Sequence, residues 1–431
     1  MRRGSLNSCA CAGFTARATV ALAALLAVLP RTAALAADDR PAAGWKAAAA
    51  AVKITPPDPL PMAGYAGRTE PAEGTEQELF AKALALEDDA GGRVMLITLD
   101  LIGVSAELRS RVVAALGTAR SLPPHAILLN ASHTHCGPDY RHEAATAYRE
   151  SLERSIVAAA TEAIDRLAPA ELSYGTARAS VSMNRRTSSP TGYLNHPNPQ
   201  GPVDQSVPTL AVRSAGGGLK AVLFGYACHN TTMGFRRWLG DYAGYAQEYL
   251  EEDHPGTKAL FMMGCGGDQN PYPRGELKYA QRHGRTLATA VEAALEVNQK
   301  EPRHQRKLSG TIRSAFGMVD LPFTDPARPP LAYPVQAIRI GDGVLLVALG
   351  MEATVDYSLR LKQELAKPDG PAIWIAGYSN LYPGYVPSRR VLLEGGYEAQ
   401  SMPWDPGLEE RIVARVHEIV AEVGGSGPAV R

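Results

Sequence analysis

The sequence predicts an α/β fold, with mixed β-sheets flanked by helices in a single large domain. Three observations predict it. Short apolar runs of strand character alternate with longer stretches whose apolar residues recur at helical spacing. No linker divides the 431-residue chain cleanly, and no internal repeat is evident. The composition is that of a globular protein, 45% hydrophobic and 20% charged, which excludes intrinsic disorder, a collagen-like chain and a disulfide-dense miniprotein. The 44 Lys and Arg balance 44 Asp and Glu, so no basic excess marks a nucleic-acid partner.

Taken in order, residues 1–36 read as a secretory signal and residues 37–431 as the exported domain, periplasmic or extracellular. Arg2, Arg3 and Arg17 form a basic region, Ala18 to Leu29 an apolar run, and Ala34-Leu35-Ala36 a small-x-small cleavage site. The apolar run of 12 residues is shorter than the roughly 20 a spanning helix needs. No second long apolar run follows, so membrane contact is at most peripheral. Without residues 1–36, 40 basic and 44 acidic residues and three cysteines remain, a mildly acidic chain.

Arg93 to Ile102 is a buried-strand run, and Ser105 to Ala119 is helical. Ala126 to Ala131 is a second strand, running into Ser132-His133-Thr134-His135. An amphipathic helix is expected from His142 to Leu167, and a long Pro-, Asn- and Ser-rich loop from Arg185 to Pro208. Leu219 to His229 is a third strand. Gly244 to Asp253 reads as a helix, Ala259 to Met263 as a strand entering a Gly-rich turn, and Tyr279 to Asn298 as a helix. Two apolar arms around Gly341-Asp342-Gly343 make Val335 to Leu349 a β-hairpin. Val355 to Ala366 is helical with Thr354 as its cap, Ala372 to Ala376 is a strand, and Leu408 to Val423 is a closing helix.

The strongest chemical feature is Ser132-His133-Thr134-His135-Cys136-Gly137-Pro138. Residues two apart on a strand share a face, so His133 and His135 are expected to aim two imidazoles into one pocket. Imidazole suits both metal ligation and proton transfer near neutrality. The alternative is a pair of hydrogen-bonded core histidines. His229 ends another apolar strand, and two such strand ends in a chain of ten histidines point to a joint metal site. Cys136, Cys228 and Cys265 read as packing residues, with a disulfide or thiolate ligation as the alternative. Gly264 to Pro271 is either a close backbone approach to a ligand or simply a tight turn. Glu352 follows an apolar arm, where a carboxylate is costly unless exposed or paired with a cation or metal. The Tyr-rich stretch from Tyr378 to Tyr397 reads as an amphipathic surface, open to carbohydrate. Asn130 and Asn230 head glycosylation sequons but adjoin the expected ligands, so both are expected to be buried and unmodified.

The succession of motifs resembles the catalytic domain of the neutral/alkaline (non-lysosomal) ceramidases over most of the chain. It runs through Ile54-Thr55-Pro56, Met62-Ala63-Gly64-Tyr65, Ser132-His133-Thr134-His135 with Gly137-Pro138, and Asn184-Arg185. It continues through Ala227-Cys228-His229, Gly240-Asp241 with Gly244-Tyr245-Ala246, and Gly267-Asp268 with Pro271. Glu352-Ala353-Thr354, Gly384-Tyr385-Val386 and Tyr397-Glu398 close it. The resemblance implies a zinc ion held by His133, His229, Glu352 and Tyr385, with His135 moving protons and Arg185 and Tyr397 at the substrate carbonyl. It implies hydrolysis of the amide of an N-acylsphingosine-type lipid, so the expected partner is a small-molecule lipid or acyl-amide substrate. Two positions depart from the family. Asn270 stands where ceramidases carry a Ser before the Pro, and an amide side chain cannot accept an acyl group, so its expected role is a hydrogen bond to substrate. Cys136 replaces the usual Ser after the second His. The alternatives are a zinc hydrolase of the same fold acting on a different amide or ester, and a non-catalytic exported glycan- or lipid-binding protein. No feature of the sequence sets an oligomeric state.

Overall fold

Strands buried on both faces need apolar residues at every position, and the chain places them so that alternate residues feed different cores. The computed structural model describes residues 44–300 and 306–424; the expected signal segment, residues 1–36, lies outside them. The main sheet runs, by neighbours, Lys258–Met263, Leu219–Tyr226, Ser206–Ser214, Ala168–Arg178, Trp45–Lys53, Phe80–Glu87, Arg93–Leu99 and Ile127–Ala131, with Arg306–Lys307 paired to Ala168–Arg178. The pair at each end of this order is parallel and the inner pairs are antiparallel. A second sheet, Ile312–Leu321, Leu331–Ile340, Val344–Leu349 and Ala372–Ala376, packs against the first.

The alternation is visible strand by strand. Met95, Ile97 and Leu99 face the helices Ala106–Arg120 and Thr146–Asp165, whereas Val94 and Leu96 face the second sheet. Val222 and Phe224 face the helices Asp241–Asp253 and Leu277–Lys300, whereas Leu223 faces the second sheet. Leu345, Val347 and Leu349 turn outward onto the helices Val355–Leu365 and Leu408–Gly424. Helices thus cover both outer faces of the paired sheets. Among the described residues, no helix is long and apolar enough to cross a membrane.

The main sheet also folds on itself. Trp45–Lys53 approaches Leu219–Tyr226 and Lys258–Met263 across the sheet, a closeness that its run of five alanines permits. The two ends of the strand order are joined through Asn130, whose Oδ1 accepts from Met263 N at 2.8 Å. Its Nδ2 donates to Met263 O, Gly377 O and Ser379 Oγ. Chain segments that leave opposite ends of the sheet therefore emerge side by side.

Several sequence expectations need correction. The loop expected from Arg185 to Pro208 is mostly strand: Ser182–Ser189 and Gly192–Asn198 form a hairpin that Gln269–Pro271 joins, and Ser206–Ser214 enters the main sheet. Polar side chains are tolerated there because the hairpin is half exposed, which removes the apolar signal. Thr354 sits at the cap position of Val355–Leu365 without bonding its amides; its hydroxyl accepts from Ser388 N, and Asp268 Oδ1 accepts from Val355 N instead. Tyr378 is not part of a surface but is buried. Cys136, Cys228 and Cys265 are buried free thiols. Asn130 and Asn230 are buried.

Candidate metal centre

The segments that carry the histidines, Glu352 and Tyr378 each follow the C-terminal end of a strand, the usual place for ligands in α/β sheets. His133 and His135 follow Ile127–Ala131, and His229 follows Leu219–Tyr226. Glu352 follows Val344–Leu349, and Tyr378 follows Ala372–Ala376.

The two imidazoles of His133 and His135 converge, but not by strand alternation. The strand ends at Ala131, and His133 takes a left-handed backbone, φ +60°. That turn brings His135 Nε2 to 3.1 Å from His133 Nε2. Met351, Tyr378 and Asn380 are also left-handed without being glycine, so backbone strain gathers around this site. The conformation is held by His133 N donating to Leu101 O and by the Tyr378 ring, 4.4 Å from the His133 ring.

His133 Nδ1 lies 2.6 Å from Ile102 O, and His229 Nδ1 lies 2.7 Å from Gly266 O. A carbonyl only accepts, so each Nδ1 carries the hydrogen, and a neutral ring presents an Nε2 lone pair. Both Nε2 atoms lie 3.2 Å from the same oxygen, Glu352 Oε2. That oxygen is buried and accepts no hydrogen bond. Burial, with Arg185 nearby, lowers the pKa of His229 to about 4. Burial pushes Glu352 upward, but the neighbouring His133 and His229 hold it well below the usual carboxylate range. Near neutral pH a carboxylate oxygen therefore faces an imidazole lone pair with no proton between them. Such an arrangement is costly when buried and favourable around a cation. Tyr385 Oη adds a fourth donor, 3.3 Å from His229 Nε2. The nitrogens of His133, His135 and His229 lie within 4.8 Å of one another, close enough to hold a metal ion. The residues present thus fit a metal of the kind that takes nitrogen and oxygen ligands.

His135 differs from the other two. Its Nδ1 is buried with no partner, so no backbone carbonyl fixes its tautomer. Burial, then the neighbouring His133 and His229, holds its pKa well below the usual value. Its ring rests on Gly64, where an added Cβ would lie 2.5 Å from the ring, and its carbonyl accepts from Arg68.

Arg185 links these candidate ligands to the rest of the site. It donates to Tyr385 Oη at 3.0 Å, to Asn270 Oδ1 at 3.1 Å and to Glu398 Oε1 at 2.9 Å. Tyr385 and Glu398 outweigh its burial and keep it charged. The Tyr397 ring lies 5.4 Å from the Tyr385 ring and is half exposed at the mouth. Asn270 is buried, with its carboxamide oxygen engaged by Arg185. All eight residues singled out in the sequence are therefore brought together.

Others were missed. Arg186 also binds Glu398, so one buried carboxylate serves two guanidinium groups. Arg68, Tyr378 and Thr231 carry no local pattern that marks them. The Gly-rich loop is a tight turn whose backbone packs against the segments that carry Glu352 and His229. Gly267 N donates to Ala353 O beside Glu352, a contact any Cβ at Gly267 would block, and Gly266 O fixes His229. Asp268 is pushed up to about 6 by burial and by Asp356. It accepts from Val355 N and Asn184 Nδ2, tying the Glu352 and Arg185 segments together.

Comparison with known proteins agrees with the resemblance read from the sequence. Residues 52–264 match the family model of the neutral/alkaline non-lysosomal ceramidase N-terminal domain. The neutral ceramidase of Pseudomonas aeruginosa is 25% identical over 283 residues, which cover 60% of this chain and 42% of that protein. Neutral ceramidase B of Dictyostelium discoideum is 27% identical over 243 residues, 50% of this chain and 33% of that one. The chain spans less than half the length of these relatives. The crystal structure of the Pseudomonas aeruginosa neutral ceramidase superposes with a TM-score of 0.75 at 19% identity, over 90% of this chain and 76% of that chain. A ceramidase complexed with C2 superposes with a TM-score of 0.74 at 19% identity, over 90% and 77%. The shared fold is thus the mixed-sheet α/β architecture described above.

Proposed function

We propose that the chain, whose residues 52–264 match the neutral/alkaline non-lysosomal ceramidase N-terminal family model, is an exported zinc-dependent hydrolase. It cleaves the amide of N-acylsphingosine-type lipids to a fatty acid and a sphingoid base. The observation that carries this reading is the buried, donorless Glu352 Oε2 set between two fixed imidazole nitrogens. His133, His229, Glu352 and Tyr385 would hold the ion. Zinc bound there supplies Lewis acidity and lowers the pKa of water towards about 7.

The chain's own residues do the rest. His135, neutral and not anchored to backbone, takes a proton from the attacking water and passes it to the leaving nitrogen. The water oxygen joins the carbonyl carbon as the C–N bond breaks, so the acid and the free amine are the two products. Arg185, held rigid by Glu398 and Asn270, aims cationic donors at the carbonyl oxygen, with Tyr397 beside it.

Metal analysis and hydrolysis of a fluorescent ceramide test this together. The purified protein is expected to carry zinc and to lose activity on chelation or with His133→Ala. Absence of metal together with full activity of His133→Ala would sink the reading. A second reading keeps the site and changes the substrate to another amide or ester. It is favoured by Asn270, whose carboxamide cannot serve as an acyl acceptor. A panel of short acyl esters and amides run beside ceramide separates the two.

A further inference from the structure

The cavity over the metal centre has a volume of about 330 Å³ and an unusual lining. Ligand pockets are mostly apolar, and a long-chain lipid calls for extensive apolar walls. Here no aliphatic side chain larger than Ala66 lines the cavity, and no acidic side chain does. Tyr65, Arg185, Thr231, Asn270, Arg274 and Tyr397 dominate instead.

Two of these have polar capacity that the protein leaves unused. Arg274 forms no ion pair within 4.0 Å among the described residues, although its charge reaches the buried Asp241; its Nη2 donates to Tyr65 Oη, at 3.4 Å. Thr231 is 3% exposed, and its hydroxyl has no hydrogen-bond partner. A buried hydroxyl without a partner is rare in native proteins and points to a bound ligand or water. The two residues are tied together, because Gly275 N donates to Thr232 O at 2.8 Å and so seats the Arg274 segment beside Thr231. They also stand at a usable distance from the chemistry. The Tyr65 ring that Arg274 touches lies edge-on to the His135 ring, 4.9 Å between centres. The free guanidinium is therefore one aromatic side chain beyond the proton-moving histidine.

We infer that the preferred substrate is an amide bearing a carboxylate, with the carboxylate held by Arg274 and Thr231 while the scissile carbonyl sits at the histidines. This rests on reading the site as an amide hydrolase and, because a ceramide carries no carboxylate, it names the substrate class of the second reading above, a different amide. A guanidinium presents parallel N–H donors that match a carboxylate, and a hydroxyl adds a third donor.

The test uses matched compounds. N-octanoylglycine places the carboxylate on the amine side, N-octylsuccinamic acid places it on the acyl side, and N-octanoylethanolamine is the neutral control. Affinities are measured by calorimetry on the zinc-loaded His135→Ala protein, so that hydrolysis does not interfere. At least one acidic amide is expected to bind about tenfold tighter than the control. Arg274→Gln on that background should abolish the difference, and Arg274→Glu should shift preference to an N-octanoyl diamine. Arg274 is exposed, and circular dichroism checks that these variants fold. Equal affinity for acidic and neutral amides, or a preference that survives Arg274→Gln, overturns the inference. Turnover by the wild-type protein is scored separately. Carboxylate preference without turnover of any amide would leave the anion site standing and remove the hydrolase reading. Turnover without preference would do the reverse.

Discussion

At the scale of single residues, the three histidines divide by how their Nδ1 atoms are treated. His133 and His229 are locked by the carbonyls of Ile102 and Gly266, whereas His135 Nδ1 has no partner and no backbone carbonyl holds the ring. Its position depends on Gly64, which combines φ +102° with direct contact beneath the ring. Alanine there would be strained in backbone and would strike Cγ and Nδ1 at 2.5 Å. Gly64→Ala is therefore expected to displace His135 while leaving His133, His229 and Glu352 in place. Displacement of a reacting group by an ångström costs about 100-fold in rate. Steady-state kinetics should show kcat reduced on that order with the metal content unchanged; an unaltered kcat would mean that His135 is not the group that moves the proton.

At the scale of elements, the site depends on the closure that Asn130 makes between the ends of the main sheet. Asn130→Leu keeps the approximate volume but leaves Met263 N–H and Gly377 C=O buried with a partner lost. Gly377 O keeps Ser379 Oγ as a donor, so the orphaned Met263 N–H carries most of the cost, and the variant is expected to be roughly 1–3 kcal/mol less stable by urea denaturation. A loss under 1 kcal/mol would show that other contacts hold the edges together. The strands on either side of this joint were legible in the sequence because residues buried on both faces leave uninterrupted apolar runs, as in Val94 to Ile97 and Ala221 to Tyr226. Trp45–Lys53 was not, because its five consecutive alanines carry a helix preference that cross-sheet packing overrides. The hairpin around Gly192 was not, because its side chains are polar and half exposed. The candidate ligands were legible as His-x-His, Cys-His and a carboxylate after an apolar arm. Arg186, Arg68 and Thr231 were not, because their roles arise only from contacts between segments distant in the chain.

For the molecule as a whole, gathering buried imidazoles at one place makes stability sensitive to pH in a definite direction. His229 titrates near 4 in the fold and near 6.5 when unfolded, so between those values the unfolded chain binds more protons. Its contribution is complete above pH 6.5 and is lost as pH falls towards 4. His135, His125 and His283 are shifted the same way by burial and act in the same sense. For His229 alone the shift corresponds to about 3 kcal/mol. Asp268, raised to about 6, opposes the histidines over part of this range, so the test is the difference between proteins: the fall in urea midpoint of the metal-free protein from pH 7 to pH 5 should be smaller in His229→Asn. Metal widens the contrast, since its ligands must be deprotonated and acid releases it. The gap between zinc-loaded and chelated denaturation midpoints should accordingly narrow as pH falls from 7 to 5. A gap that stays constant over that range would place the bound metal on groups other than these imidazoles.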